Sequence, residues 1–251
     1  MEEQVVRGLQ CASHLGVQQR AIDVARIARR LSDGVGCADA ALDRDLESPL
    51  AFCGYGRNVE YRRLLVAPRT LRAGIRDLIR GEAAAGPGRG RIIMKMNSLV
   101  DAEMIDELYD ASQAGVEVDL IVRGICCLTP GVAGLSENIR VRSLVGRYLE
   151  HSRLYYFANG GPDGEARYLI GSADIMPRNL DRRVEALVPV TDPELMARLR
   201  EVLDLELADD VLAWVLGPDG RWERVPPGGT LETHVEMQRR TIARNNRLTV
   251  A

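Results

Sequence analysis

Beyond residue 60 the apolar positions alternate between short strand-like runs and helical stretches with a period near 3.6. Leu64-Leu65-Val66 predicts a short strand, and Pro68 opens a helix whose apolar face is Leu71, Ile75, Leu78 and Ile79. Gly86-Pro87-Gly88-Arg89-Gly90 is a loop. Ile92 to Met96 is an apolar run of strand length, and Asn97 or Ser98 begins a turn. Asp101 to Ala114 predicts a helix with Met104, Ile105, Leu108 and Ala111 inward, ended by Gly115. Val116 to Val122 returns as a buried strand. A crossover of this length joins parallel strands. Arg123 and Gly124 then fall just past the carboxyl end of a central strand, where open α/β sheets bind ligands.

The second half is strand-rich. After a Pro/Gly loop from Thr129 to Gly134, Ile139 to Leu144 and Arg153 to Phe157 predict strands. Asn159-Gly160-Gly161-Pro162-Asp163-Gly164 is a turn, and Tyr168 to Ile170 is the returning strand. Glu185 to Val190 is a further strand, and Pro193 to Ala208 is a helix capped by Asp192. Leu216 to Val225 predicts a hairpin around Pro218-Asp219-Gly220, and Thr230 to Ala243 a polar terminal helix. Residues 1–53 are the least patterned. Val17 to Leu31 sets arginines among Ile22, Val24, Ile27 and Ala28 in a roughly helical way, until Gly34, Gly36 and Pro49 break it. The expected fold class is α/β, a mixed sheet flanked by helices, with no internal repeat.

Composition narrows the function. The chain has 251 residues, 46% of them hydrophobic, enough for one large or two small cores. A net charge of −3 gives no global argument for nucleic acid or a membrane surface. Locally, eight arginines face five acids between Arg140 and Arg183, whereas eleven acids face four arginines between Asp192 and Glu236. The anion-attracting stretch is therefore confined to one region. Five cysteines, with Cys126 and Cys127 adjacent and no C-x-x-C, predict reduced, buried thiols rather than disulfides or a metal site. No apolar run reaches about 18 residues and Met1-Glu2-Glu3 lacks a basic n-region, so a cytoplasmic protein is expected.

The same basic region carries the candidate chemistry. His151-Ser152-Arg153 begins one strand of the predicted hairpin, and Gly171-Ser172-Ala173-Asp174 ends its partner, so topology brings the two together. An imidazole titrates near pH 6.5 and can attack phosphorus or shuttle a proton at neutral pH. Arg178, Asn179, Arg182 and Arg183 follow directly. Guanidinium forks match phosphate oxygens bidentately, although such a run is also what a solvated face looks like. Arg123 is either a phosphate ligand or the partner of Asp119 or Asp101. Ser172 and Asp174 either cap their turn or serve the site, orienting the histidine or, through the serine hydroxyl, donating to phosphate. His14 lacks such company, and His234 is expected on the surface. No G-x-x-x-x-G-K-(S/T) is present, so ATP would not bind through a P-loop. No acidic cluster offers a metal cage, so Mg²⁺ would arrive on the phosphates.

The H-x-(K/R) and G-S-x-(N/D) pair resembles one half of a phospholipase-D-like active site, in which imidazole, cation and short polar side chain converge on a transferring phosphoryl group. Such sites need two halves and two histidines. One clear copy makes this chain read as half of an enzyme. From about Gly54 to about Val225 the chain also resembles the C-terminal part of the bacterial polyphosphate kinases. The matching segments are Glu60 to Pro68, Lys95 to Asp101, Ile121 to Cys127, Leu135 to Val141, Tyr148 to Arg153 and Gly171 to Arg183. That resemblance implies a phospholipase-D-like sheet, reversible transfer of the terminal phosphate of ATP to inorganic polyphosphate through a phosphohistidine, and Mg²⁺. It also implies that Arg123 and His151 contact nucleotide and phosphate, that Arg183 is a further active-site arginine, and that His151 is the second essential histidine, not the phosphorylated one. Arg153, Ser172, Asp174, Arg178 and Asn179 complete the expected ATP- and phosphate-binding set.

The expected division is a divergent or disrupted remnant of the preceding catalytic domain at 1–53, the phospholipase-D-like domain at 54–228 and a polar helical tail at 229–251. His14-Leu15-Gly16 stands where the family has H-x-G-T-G-N, with Val17-Gln18-Gln19 in place of T-G-N and Ala28 in place of a nucleotide-contacting tyrosine. The phosphoacceptor H-x-K of the first catalytic domain is missing. Expected partners are ATP or ADP and polyphosphate, with a second copy or a separate protein supplying the missing half. Two other readings stay open, a dimeric phospholipase-D-type phosphodiesterase and a non-catalytic polyphosphate- or nucleotide-binding remnant.

Overall fold

The structure, a computed structural model, describes residues 61, 63–160, 164–226 and 228–250. The expectations for residues 1–53, including His14 and Ala28, lie outside the described residues, as do residues 161–163 of the predicted turn.

Nine strands form one mixed sheet: β1 (Leu65–Val66), β2 (Arg91–Met96), β3 (Glu117–Val122), β4 (Ile139–Leu144), β5 (Arg153–Phe157), β6 (Arg167–Gly171), β7 (Ala186–Val190), β8 (Ala213–Leu216) and β9 (Trp222–Arg224). Among the described residues five helices accompany them: α1 (Leu71–Ala85), α2 (Ala102–Gln113), α3 (Pro177–Asp181), α4 (Pro193–Ala208) and α5 (Thr233–Val250). Strand order is β1-β7-β6-β5-β2-β3-β4-β8-β9. The centre, β2-β3-β4, is parallel, and the remaining pairs are antiparallel.

Alternation along the strands decides which side each residue serves. Ile92, Met94 and Met96 join Leu71, Ile75, Met104 and Leu108 in the core under α1 and α2. Ile93 and Ile121 point the other way and pack with Leu203 of α4. Lys95 shares the face of Ile93, and this brings an ammonium up against α4 in the sheet's interior. Helix starts follow their caps: the carboxylates of Asp101 and Asp192 accept from the amides of Met104 and Leu195. Pro68 does not open α1 as expected. Residues 67–70 form a turn in which the Thr70 amide donates to the Val66 carbonyl at 2.8 Å, and α1 begins at Leu71. The terminal helix begins at Thr233 rather than Thr230, and its first two residues, Thr233 and His234, are buried.

Several chain segments meet at one edge of the sheet. The Leu99 amide donates to the Ile125 carbonyl at 2.8 Å, and the Val100 amide to the Ile175 carbonyl at 2.8 Å. The segments that follow β2, β3 and β6 are thereby stitched side by side. Because β5 is antiparallel to β2, its first residue lies at the same edge. Arg153 pairs with Gly171 in the β5-β6 ladder. Gly171 is a packing necessity: a Cβ there would lie 2.0 Å from the Ala186 carbonyl oxygen of β7. The turn that follows is held from below by Tyr155, whose hydroxyl donates to the Ala173 carbonyl at 2.7 Å.

Gly171→Ala is therefore expected to force β6 and β7 apart and to destabilise the domain by about 1–3 kcal/mol, the usual cost of overpacking. Chemical denaturation of the variant checks this; an unchanged midpoint would mean that the two strands separate freely.

Candidate functional site

The centre of the site is the carboxylate of Asp174, buried at the sheet edge. Its Oδ1 accepts from the Asn97 amide at 2.7 Å and from Arg153 Nε at 3.2 Å, while Oδ2 accepts from Arg153 Nη2 at 3.0 Å. This is the fork-on-carboxylate geometry that a planar guanidinium favours. Arg153 Nη1 in turn donates to the His151 backbone carbonyl at 2.8 Å and lies 3.0 Å from His151 Nδ1 and 3.4 Å from Nε2. Of the five guanidinium N–H groups, four are thus committed within the protein. Arg153 therefore bridges the Asp174 carboxylate and His151.

His151 itself is exposed. Desolvation, and after it the positive charges of Arg153 and Arg123, hold its imidazole below the ordinary histidine value, with Asp174 pulling weakly the other way. At neutral pH the ring is therefore uncharged. A guanidinium only donates, so the nitrogen nearer to it, Nδ1, is the acceptor and the ring proton sits on Nε2.

Arg123 lies past the end of β3, half-buried, and lines a cleft of about 550 Å³ with Asn97, Ser98 and the loop at 144–150. The alternative partners foreseen for it are otherwise engaged: Asp119 by Arg91 and Arg140, and Asp101 by Arg72. Among the described residues no carboxylate pairs with Arg123. Asn97, also in the cleft, is buried and its Oδ1 has no hydrogen-bond partner.

The other predicted residues form a second group. Ser172 Oγ accepts from the Ala186 amide at 3.4 Å. Asn179 is buried and donates to Glu185 Oε1 at 3.1 Å. Arg183 is exposed and stands 4.0 Å from the same carboxylate. Arg178 is exposed on α3 with no side-chain partner among the described residues. Burial raises the Glu185 carboxyl, with Ser172 and Arg183 opposing. Asn179 thus supports a buried carboxylate. Glu185 is a residue the sequence reading passed over as part of a strand, and its only signal was an acid heading an apolar run.

A second omission is larger. Lys95 Nζ bonds both Glu150 and Glu206, all three deeply placed, and Glu150 Oε1 meets His234 Nε2 at 2.7 Å. His234 is 4% exposed, which overturns its expected surface position. Burial pushes Glu206 up, to about 7, against the pull of Lys95. Burial also opposes ionisation of Glu150, but Lys95 and His234 outweigh it and hold that carboxyl low. The signal available was a single lysine inside the apolar run Ile92–Met96. Cys127 is another correction, since its thiol is exposed, whereas Cys126 is part-buried and burial pushes it up to about 11.

The chain matches the family Polyphosphate kinase C-terminal domain 2 over residues 64–238. It is 58% identical over 177 residues to polyphosphate kinase 1 of Chlorobaculum tepidum, covering 70% of this chain and 25% of that protein. Against the polyphosphate kinase of Mycobacterium avium it is 51% identical over 213 residues, covering 82% and 28%. The crystal structure of the polyphosphate kinase from Porphyromonas gingivalis superposes with a TM-score of 0.69 at 36% identity, over 76% of this chain and 30% of that one. The chain thus spans about a quarter of the length of the curated relatives it matches.

Removing the neighbouring charge should release the imidazole. In Arg153→Gln the His151 pKa is expected to rise toward the ordinary value near 6.5, and in Asp174→Asn to fall further. An NMR titration of the ring protons reads both; no movement in Arg153→Gln would mean that burial alone sets the value.

Proposed function

The chain belongs to the polyphosphate kinase C-terminal domain family, and from that premise we propose that it supplies the second-histidine half of a polyphosphate kinase site, transferring phosphoryl groups between ATP and inorganic polyphosphate. The observation that carries this reading is an exposed, uncharged His151 on the same edge as an Arg123 that no carboxylate among the described residues claims. Phosphoryl transfer asks the protein mainly for positioning and for donors that meet the charge on the equatorial oxygens. His151 Nε2–H is placed to donate to a phosphate oxygen, or to give up its proton as the leaving oxygen gains charge. Arg123 and, further along the edge, Arg178 and Arg183 supply fork-shaped cations. Asp174 and Arg153 keep the imidazole oriented. Since His151 faces Arg153 through Nδ1, it acts as a donor and stabiliser, and the phosphohistidine forms elsewhere, on a histidine of the other half-site.

Mg²⁺ is implied by the family. Asp174 is already bonded to Arg153 and Asn97, the one carboxylate lining the cleft, Glu150, is bonded to Lys95 and His234, and among the described residues no three His, Cys, Asp or Glu side chains are arranged to hold a metal ion. These residues do not fit a metal cage, so the ion is assigned to the nucleotide's own phosphates and no step here depends on it. Among the described residues no helix is long and apolar enough to cross a membrane.

Two outcomes test the proposal. The purified chain should bind inorganic polyphosphate with an affinity that falls steeply with salt, as expected where several cations meet a polyanion. Arg123→Ala should weaken that binding by about tenfold, or roughly 1.4 kcal/mol, and Arg183→Lys should weaken it although charge is kept. Isotherms at several ionic strengths measure this, and equal affinity in Arg123→Ala would remove that residue from the site. The chain alone should show no ATP-dependent polyphosphate synthesis, because a single half-site offers one imidazole for a transfer that passes through a second. Robust synthesis, with acid-labile phosphate on His151, would overturn the assignment of roles.

A further inference from the structure

We propose that His234, on the terminal helix α5, is a positioning residue that fixes the loop at 145–150 and through it places His151. The loop has little apolar burial to hold it: Val145, Tyr148 and Leu149 are 61%, 49% and 71% exposed. Its anchors are polar. The Val145 amide donates to the Leu212 carbonyl at 3.2 Å, and the Tyr148 amide donates to His234 Nδ1 at 3.3 Å. Since that amide can only donate, Nδ1 is unprotonated and Nε2 carries the proton it gives to Glu150 Oε1 at 2.7 Å. Glu150 immediately precedes His151, and its other oxygen takes Lys95 from β2. One buried imidazole therefore grips the loop at two points, and Lys95 ties the second point to the sheet and to Glu206 of α4.

The packing supports the same assignment. A Cβ at Gly146 would lie 2.8 Å from His234 Nδ1 and 2.7 Å from Leu212, so the loop approaches the ring as closely as a backbone can. Helix α5 is itself fixed: the Thr233 amide donates to Asp209 Oδ2 at 2.8 Å and its hydroxyl to the Leu205 carbonyl at 3.1 Å. The grip is thus a docked helix holding an exposed stretch of chain. Its consequence for chemistry rests on the proposed phosphate-facing role of His151. Its consequence for geometry does not.

The test uses the full chain and reads both. His234→Ala removes both contacts to the loop; His234→Gln restores a donor to Glu150; Thr233→Val removes a bond that docks α5 without touching the loop. In the ligand-free protein the NMR pKa of His151 should rise toward its ordinary value in His234→Ala, because the loop carries the imidazole away from Arg153 and Arg123, and should stay put in Thr233→Val even where melting falls. Affinity for inorganic polyphosphate should drop by about tenfold in His234→Ala, with His234→Gln within about twofold of the parent chain. If His234→Ala does not fold, Gly146→Ala, which crowds Nδ1 from the loop side, should move the His151 titration in the same direction. An unchanged His151 pKa in these variants, with melting lowered alike in His234→Ala and Thr233→Val, would make His234 a helix-docking residue and end the proposal. A parent chain that binds no polyphosphate would instead overturn the phosphotransferase reading, and the imidazole titration would still decide the role of His234.

Discussion

A carboxylate taken out of water loses several kcal/mol of solvation and persists only where donors replace it. Asp174 is such a group, and its donors come from two other strands: the backbone amide of Asn97 after β2 and the guanidinium of Arg153 at the start of β5. Satisfying it fixes where three chain segments end relative to one another. His151 inherits its orientation from that arrangement, because the arginine that neutralises Asp174 also holds the histidine's carbonyl and faces its ring. The site is therefore organised around a buried anion.

Charge is divided by task. Arg153, Arg72, Arg91 and Arg140 bond carboxylates and hold the framework, while Arg123 and Arg178 have no carboxylate partner among the described residues. These two cations stand in a protein whose total charge is slightly negative. Lys95 belongs to the first class although it lies within reach of the cleft's wall. Its two glutamates and His234 turn it into part of the scaffold that supports the loop before His151.

The periodicities made most of the fold legible. The β2-α2-β3 crossover, the β5-β6 hairpin and the capped α4 are short-range consequences of apolar spacing, Gly115 and the Asp101 and Asp192 caps, and they stand where the sequence places them. The meeting of His151, Arg153 and Asp174 was legible for the same reason, since a hairpin returns a chain to its own start. Arg153 as an orienting group, Asn179 as a support for Glu185 and the burial of His234 were not. Each depends on which partner a polar side chain finds across the fold.

What the sequence by itself determined, then, is the family, the order of elements and the presence of an imidazole beside cations, because local spacing and short motifs encode them directly. Only the tertiary structure decided which cations remain open to a ligand and which are bound internally. It alone showed that a histidine 83 residues beyond His151 bonds the loop before it. Hydrogen-bond donors and acceptors are satisfied by whatever lies within about 3 Å, and sequence distance carries no record of that.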